Sequence, residues 1–120
     1  MTCPCGGLPP GTPYDACCAP LHRQERYAET PEHLMRSRYS AFALHDADHL
    51  FRTWHPRTRP DDVTAPVLHW TGLEIVDAPE PVADRAEVEF VASYAGGRLH
   101  ERSRFERRRG RWLYVDGDAR

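Results

Sequence analysis

The stretch Arg85-Ala86-Glu87-Val88-Glu89-Phe90-Val91-Ala92-Ser93-Tyr94-Ala95-Gly96-Gly97-Arg98, continuing to Val115, decides the fold. Ala86, Val88, Phe90, Ala92 and Tyr94 fall on one face of an extended strand, with Arg85, Glu87 and Glu89 on the other. Gly96-Gly97 is a short hairpin signal, and Leu99 to Arg109 returns as the next strand. Arg109-Gly110 makes a second tight turn before Trp112-Leu113-Tyr114-Val115. Upstream, Leu68 to Val76 is strand-like around Trp70, Leu73 and Ile75, and Ala78-Pro79-Glu80-Pro81 breaks it. Further back the period changes. Thr30-Pro31-Glu32-His33 supplies an N-cap hydroxyl, a proline at the first helical position and an acid in the first turn. Leu34, Met35, Tyr39, Phe42 and Ala43 then recur at helical spacing to about His45, while Arg36, Arg38 and Ser40 fall mostly elsewhere around the axis. Asp46 caps a shorter helix carrying Ala47, Leu50, Phe51 and Trp54, and Pro56 ends it. Thr58 to Pro66 reads as a loop. Helices followed by a meander of about four antiparallel strands predict an α+β layer fold.

The composition bounds the function. With 120 residues, 40% hydrophobic and 28% charged, the chain has room for one ordinary domain and is too apolar to be disordered. Membrane spans need roughly 20 consecutive apolar residues, and no such run occurs. Met1-Thr2-Cys3-Pro4 lacks the basic-then-apolar pattern of an export signal, so a cytoplasmic location is expected. All 16 basic residues are arginine, which excludes lysine Schiff-base chemistry and the usual P-loop. Seven of those arginines lie between Arg98 and Arg111, against Glu101 and Glu106. Acids elsewhere in the chain are expected to balance them as a solvated strand face, so nucleic acid is not the expected partner.

The 4 cysteines, Cys3, Cys5, Cys17 and Cys18, all lie in the first eighteen residues. Neighbouring cysteines make strained disulfides, and nothing points to an oxidising compartment. Four thiolates brought together by one chain reversal suit a tetrahedral Zn²⁺. The Gly- and Pro-rich run Gly6 to Pro13 can make that reversal. Four protein ligands leave no open coordination position, so the expected zinc is structural. A redox-active Cys3/Cys5 pair is the competing reading, and His22 in place of one cysteine stays open, although a surface His without a metal role is favoured.

Cys3-Pro4-Cys5-Gly6 followed by Tyr14-Asp15-Ala16-Cys17-Cys18 resembles the SEC-C motif, a short zinc-binding segment also found on the translocation ATPase SecA. The resemblance implies Cys3, Cys5, Cys17 and Cys18 as ligands. Gly7 departs from it, standing where serine is usual, and the loop between the cysteine pairs is longer. His33-Leu34-Met35-Arg36-Ser37-Arg38-Tyr39-Ser40-Ala41-Phe42, Thr53-Trp54-His55-Pro56, Glu101-Arg102-Ser103-Arg104-Phe105 and Trp112-Leu113-Tyr114-Val115-Asp116-Gly117 together resemble the YchJ-like family. These are bacterial proteins of unassigned biochemical role. The resemblance implies a SEC-C-like zinc knuckle over 1–25 and, over 26–120, a cystatin-like, nuclear-transport-factor-2-like cone, with helices packed on a curved antiparallel sheet. It implies a zinc-binding, non-catalytic adaptor or binding protein with an unidentified protein partner, and it admits a homodimer through the sheet. Some members carry a second SEC-C motif at the C-terminus; residues up to Arg120 contain none.

Such a cone leaves a pocket between helix and sheet, and the chemistry of that pocket is argued from residues. With Leu99 and Phe105 facing the core, alternation puts Glu101 and Ser103 on the same face. An inward carboxylate needs a partner. One reading pairs Glu101 with Arg36 or Arg38 to fix helix on sheet. The other, in which the protein binds a small molecule or is a proton-transfer enzyme, makes Glu101 and His55 an acid and base in a pocket walled by Tyr39, Trp54 and Trp70.

Overall fold

A computed structural model describes all 120 residues. A single 3₁₀ turn, Tyr14–Ala16, leads into the short helix α1, Ala19–His22. Helix α2 spans Pro31–Ala43 and α3 spans Ala47–Arg52. Four strands follow, β1 Trp70–Asp77, β2 Arg85–Tyr94, β3 Gly97–Arg108 and β4 Arg111–Ala119, paired antiparallel in the order β1-β2-β3-β4. The helix-then-meander pattern read from the sequence is the architecture observed. β1 starts later than expected: the Leu68 amide donates to the Pro66 carbonyl, which turns the chain before pairing begins at Trp70.

Both caps form as their sequences require. The Thr30 hydroxyl accepts from the His33 amide at 3.1 Å, and the Asp46 carboxylate accepts from the His49 amide at 3.1 Å. Register shifts in β1 against β2, and between Arg104 and Phe105 in β3 against β4, break the flat ladder; bulges of this kind bend a sheet. The curved inner face carries Val88, Phe90, Ala92, Ser103 and Phe105, which pack beneath Leu34, Met35 and Tyr39 of α2.

All four cysteines belong to the same buried cluster as these residues, so the first twenty residues and the sheet share one core. α2 joins them through two rows at seven-residue spacing. Met35, Arg38, Tyr39 and Phe42 face the sheet, whereas His33, Arg36 and Ser40 face the N-terminal segment; the Ser37 hydroxyl turns to His49 of α3, and its backbone carbonyl meets His22. Arg38 thus departs from the expectation that it lies off the buried face: it is 6% exposed.

The arginines of β3 separate into two groups. Arg102 meets Glu87, Glu89 and Asp77 on the outer face of the sheet, and Arg104 meets Asp116 and Asp118. Arg107 pairs with Asp84. Arg108, Arg109 and Arg111, around the β3–β4 turn, form no ion pair.

Candidate metal centre

The chain reversal that brings the cysteines together is built on hydrogen bonds within the loop. The Cys3 amide donates to the Thr12 carbonyl at 3.0 Å, and the Gly11 amide to Gly6 at 2.9 Å. Gly7 has φ +91°. A Cβ there would stand 2.8 Å from the Gly11 nitrogen and 2.9 Å from the Pro9 oxygen. The longer loop folds back over this position, which explains why glycine replaces the usual serine. The Gly7 amide also donates to the Cys5 sulfur at 3.4 Å.

The four Sγ atoms lie within 4.8 Å of one another, all are buried, and none is in a disulfide. Cys5 and Cys17 are 3.7 Å apart, Cys5 and Cys18 3.8 Å, and Cys17 and Cys18 3.9 Å. A tetrahedron with Zn–S bonds of about 2.3 Å has edges of about 3.8 Å. Three of the six sulfur separations match that edge and the others fall within 4.8 Å, so the four sulfurs suit one tetrahedral cation. The Ser40 hydroxyl, from α2, lies 3.3 Å from the Cys18 sulfur and 3.5 Å from that of Cys3. Such outer donors orient thiolates and offset their charge. Arg36 Nη1 donates to the Cys5 carbonyl at 2.8 Å, and His33 Nε2 lies 3.1 Å from the Cys17 carbonyl.

Protonation within the cluster is uneven. Hydrogen bonds from Cys18 and Cys5 lower the pKa of Cys3, against its burial. Burial, then the charges of Cys5 and Cys3, push Cys17 up to about 12. Hydrogen bonding to Cys3 and Cys5, then burial, raises Cys18 as well. Cys17 and Cys18 alone are held as thiols, whereas a bound divalent cation ionises its thiol ligands.

His22 is not a surface residue. Its side chain is 4% exposed, with Nδ1 2.8 Å from the Tyr14 hydroxyl and Nε2 2.8 Å from the Ser37 carbonyl. Both ring nitrogens are occupied and neither approaches the sulfurs, so the donor set is four cysteines. Ser40, His33 and Arg36 escaped the sequence reading as supports of this centre. Their signal was a polar row at helical spacing, visible once the N-terminal segment is known to lie along it.

The cone holds a cavity of about 300 Å³. Of the residues expected there, Tyr39, Trp54, Trp70, Glu101 and Ser103 line it; Arg36 and His55 do not. Arg36 lies on the other row of α2, bonded to Glu32 and the Cys5 carbonyl. Thr53 and His55 both bond to the Tyr114 backbone, so alternation sends the intervening Trp54 inward. The His55 ring faces Glu106 at 3.4 Å and accepts from the Arg57 amide. Glu101 therefore meets neither expected partner. Its Oε2 accepts from the Ser103 hydroxyl at 2.5 Å and the Tyr114 hydroxyl at 3.2 Å. Gly117 makes room for it, since a Cβ there would sit 2.8 Å from Glu101 Cγ. Arg38 lies over the rings of Tyr114, at 4.5 Å, and Trp54, at 5.1 Å. Its Nη1 donates to the Leu50 carbonyl and the Thr53 hydroxyl, and it forms no ion pair with Glu101. Burial lowers its pKa to about 10, which leaves it charged at neutral pH.

The family model described as "YchJ, middle NTF2-like domain" matches residues 30–117. The chain belongs to the YchJ-like family. A UPF0225 protein of Streptomyces coelicolor is 51% identical over 119 residues, covering 97% of this chain and 94% of the relative. The solution structure of a SEC-C motif containing protein from Rhodopseudomonas palustris superposes with a TM-score of 0.86 at 39% identity, covering 100% of this chain and 99% of that one. The crystal structure of a SEC-C motif containing protein from Psychrobacter arcticus gives 0.81 at 30% identity, covering 97% of this chain and 81% of that one. The chain thus shares the nuclear-transport-factor-2-like fold of the family, and both solved neighbours are described as SEC-C motif containing proteins. No helix is long and apolar enough to cross a membrane.

Proposed function

We propose that this YchJ-like chain is a zinc-stabilised binding protein without catalytic chemistry of its own. One structural Zn²⁺ is held by Cys3, Cys5, Cys17 and Cys18. The observation that carries the reading is the gathering of four buried sulfurs within 4.8 Å, with Cys5, Cys17 and Cys18 at 3.7 to 3.9 Å from one another, the edge of a zinc–thiolate tetrahedron. Four protein ligands complete the shell, leaving no position at which the ion could activate water. The ion would tie the N-terminal segment to itself, and His33, Arg36 and Ser40 dock the closed segment on α2. Metal analysis of protein purified without chelator tests this, with about one zinc per chain expected. Metal-free protein with a fully folded N-terminal segment, or a Cys17→Ser, Cys18→Ser form that melts like the parent, would overturn it.

A second reading concerns the cone. The cavity is lined by the rings of Tyr39, Phe42, Trp54, Trp70 and Tyr114, with Arg38 and Glu101 beside them. A mostly apolar pocket with a few polar groups takes a small ligand with an apolar body and a polar end. Titration with 8-anilinonaphthalene-1-sulfonate should quench tryptophan fluorescence saturably and weaken in Trp70→Phe. Equal binding by the parent and Trp70→Phe rules the cavity out as the site.

A further inference from the structure

Three arginines of the β3–β4 turn line a cleft that no acidic residue enters. Arg108, Arg109 and Arg111 face Arg52 and Arg59 across about 250 Å³. A second cleft of about 250 Å³ shares Arg52, Arg59 and Arg111, adds Arg26 and Tyr27, and again contains no acid. Arg52 alone among these arginines is ion-paired, with Asp48. This is unlike the rest of the surface. The chain carries a net charge of −2, and Arg102, Arg104 and Arg107 are each paired with acids from neighbouring strands or the turn before β2. Like charges gathered without acids repel one another, and an external polyanion relieves that repulsion.

Two exposed rings flank the clefts. Tyr27 is 64% exposed and Phe51 41% exposed. The Arg111 guanidinium lies over Tyr27 at 5.1 Å, and that of Arg59 over Phe51 at 3.8 Å. A guanidinium on one side of each ring leaves an aromatic platform beside a cation, the combination on which unpaired bases stack while phosphates are held alongside. Guanidinium forks also match phosphate geometry. A purely acidic peptide would use the arginines and leave the rings idle.

We propose that the joined clefts bind a single strand of nucleic acid, its phosphates on Arg108, Arg109, Arg111 and Arg59 and its bases on Tyr27 and Phe51. The site contains none of the cysteines and shares only Trp54 with the cone cavity, and it goes beyond the metal-stabilised binding role by naming a class of ligand.

The test is fluorescence anisotropy of a labelled ten-nucleotide RNA of mixed sequence with the full chain at 50 mM salt. Saturable binding is expected, with log K falling against log salt at a slope of about −2 to −3 for three or four phosphate contacts. Arg108→Glu with Arg109→Glu, two exposed turn positions, should weaken binding at least tenfold with an unchanged melting temperature. Tyr27→Ser should weaken it about tenfold through lost stacking. Arg98→Glu, at the far end of β3, should leave it unchanged. No saturable binding, equal loss in Arg98→Glu, or indifference to Tyr27→Ser each overturns the proposal. Equal competition by poly-glutamate reassigns the clefts to an acidic protein. Zinc content, measured on the same samples, reports on the metal site independently.

Discussion

Single side chains here are held by partners distant in sequence, and their titration shows it. His49 is 1% exposed and packs against His22 with ring centroids 4.5 Å apart. Burial, followed by the charges of His22, Arg38 and Arg52, lowers its pKa from 6.5 to about 2. The folded protein therefore keeps His49 neutral where the unfolded chain takes up a proton. That contribution to stability is fully present above pH 6.5 and is lost as the pH falls from there toward 2, by about 1.4 kcal/mol per pH unit. His49→Gln should flatten the fall in melting temperature between pH 6.5 and 5 relative to the parent, as read by calorimetry. Parallel pH profiles would show that His49 does not set the slope. At the metal centre, Gly7→Ala should lower zinc affinity at least tenfold in a competition assay with a chromophoric chelator, because its Cβ cannot be placed in the folded-back loop. Unchanged affinity would mean the loop can open without disturbing the sulfurs.

At the scale of elements, α2 carries the design. Its Met35/Arg38/Tyr39/Phe42 row closes the cone, and its His33/Arg36/Ser40 row holds the cysteine-bearing segment. Arg36→Met should separate the two roles. It removes the donor to the Cys5 carbonyl and the pair with Glu32, leaving a partly buried carbonyl unsatisfied at a cost of about 1–3 kcal/mol. Amide hydrogen exchange should then accelerate around Cys3 to Gly7 and stay slow in β2 and β3. Uniform acceleration across the sheet would instead mean that the row stabilises the whole fold. Thr30→Ala, which removes the helix cap, should cost about 1 kcal/mol by chemical denaturation.

For the molecule as a whole, the consequence of one shared core is cooperativity. Cys3, Cys5, Cys17 and Cys18 pack in the same cluster as Val88, Phe90 and Trp112, so the metal site and the sheet should melt together. Chelation is expected to lower the single melting transition, followed at Trp112, rather than to release a disordered tail from an intact cone. Two transitions after chelation, with the upper one unshifted, would show two independent units.

The sequence by itself determined the elements, their order and which four cysteines gather. The reason is local: period two in β2, helical spacing from Leu34 to Phe42, caps at Thr30 and Asp46, and cysteines close along the chain are all written over short distances. Even the inward face of Glu101 followed from alternation. Tertiary structure alone decided the partners. Arg36 and Arg38 are two positions apart, yet one meets the Cys5 carbonyl and the other lies buried over Trp54 and Tyr114, because two different layers pack on opposite sides of α2. His55 lost its place beside Glu101 through a bridge to Tyr114, and the seven arginines from Arg98 to Arg111, alike in sequence, were divided by which strands and turns brought acids to them. Spacing fixes the direction in which a side chain points; what it meets there depends on register and packing angle, which involve residues far along the chain.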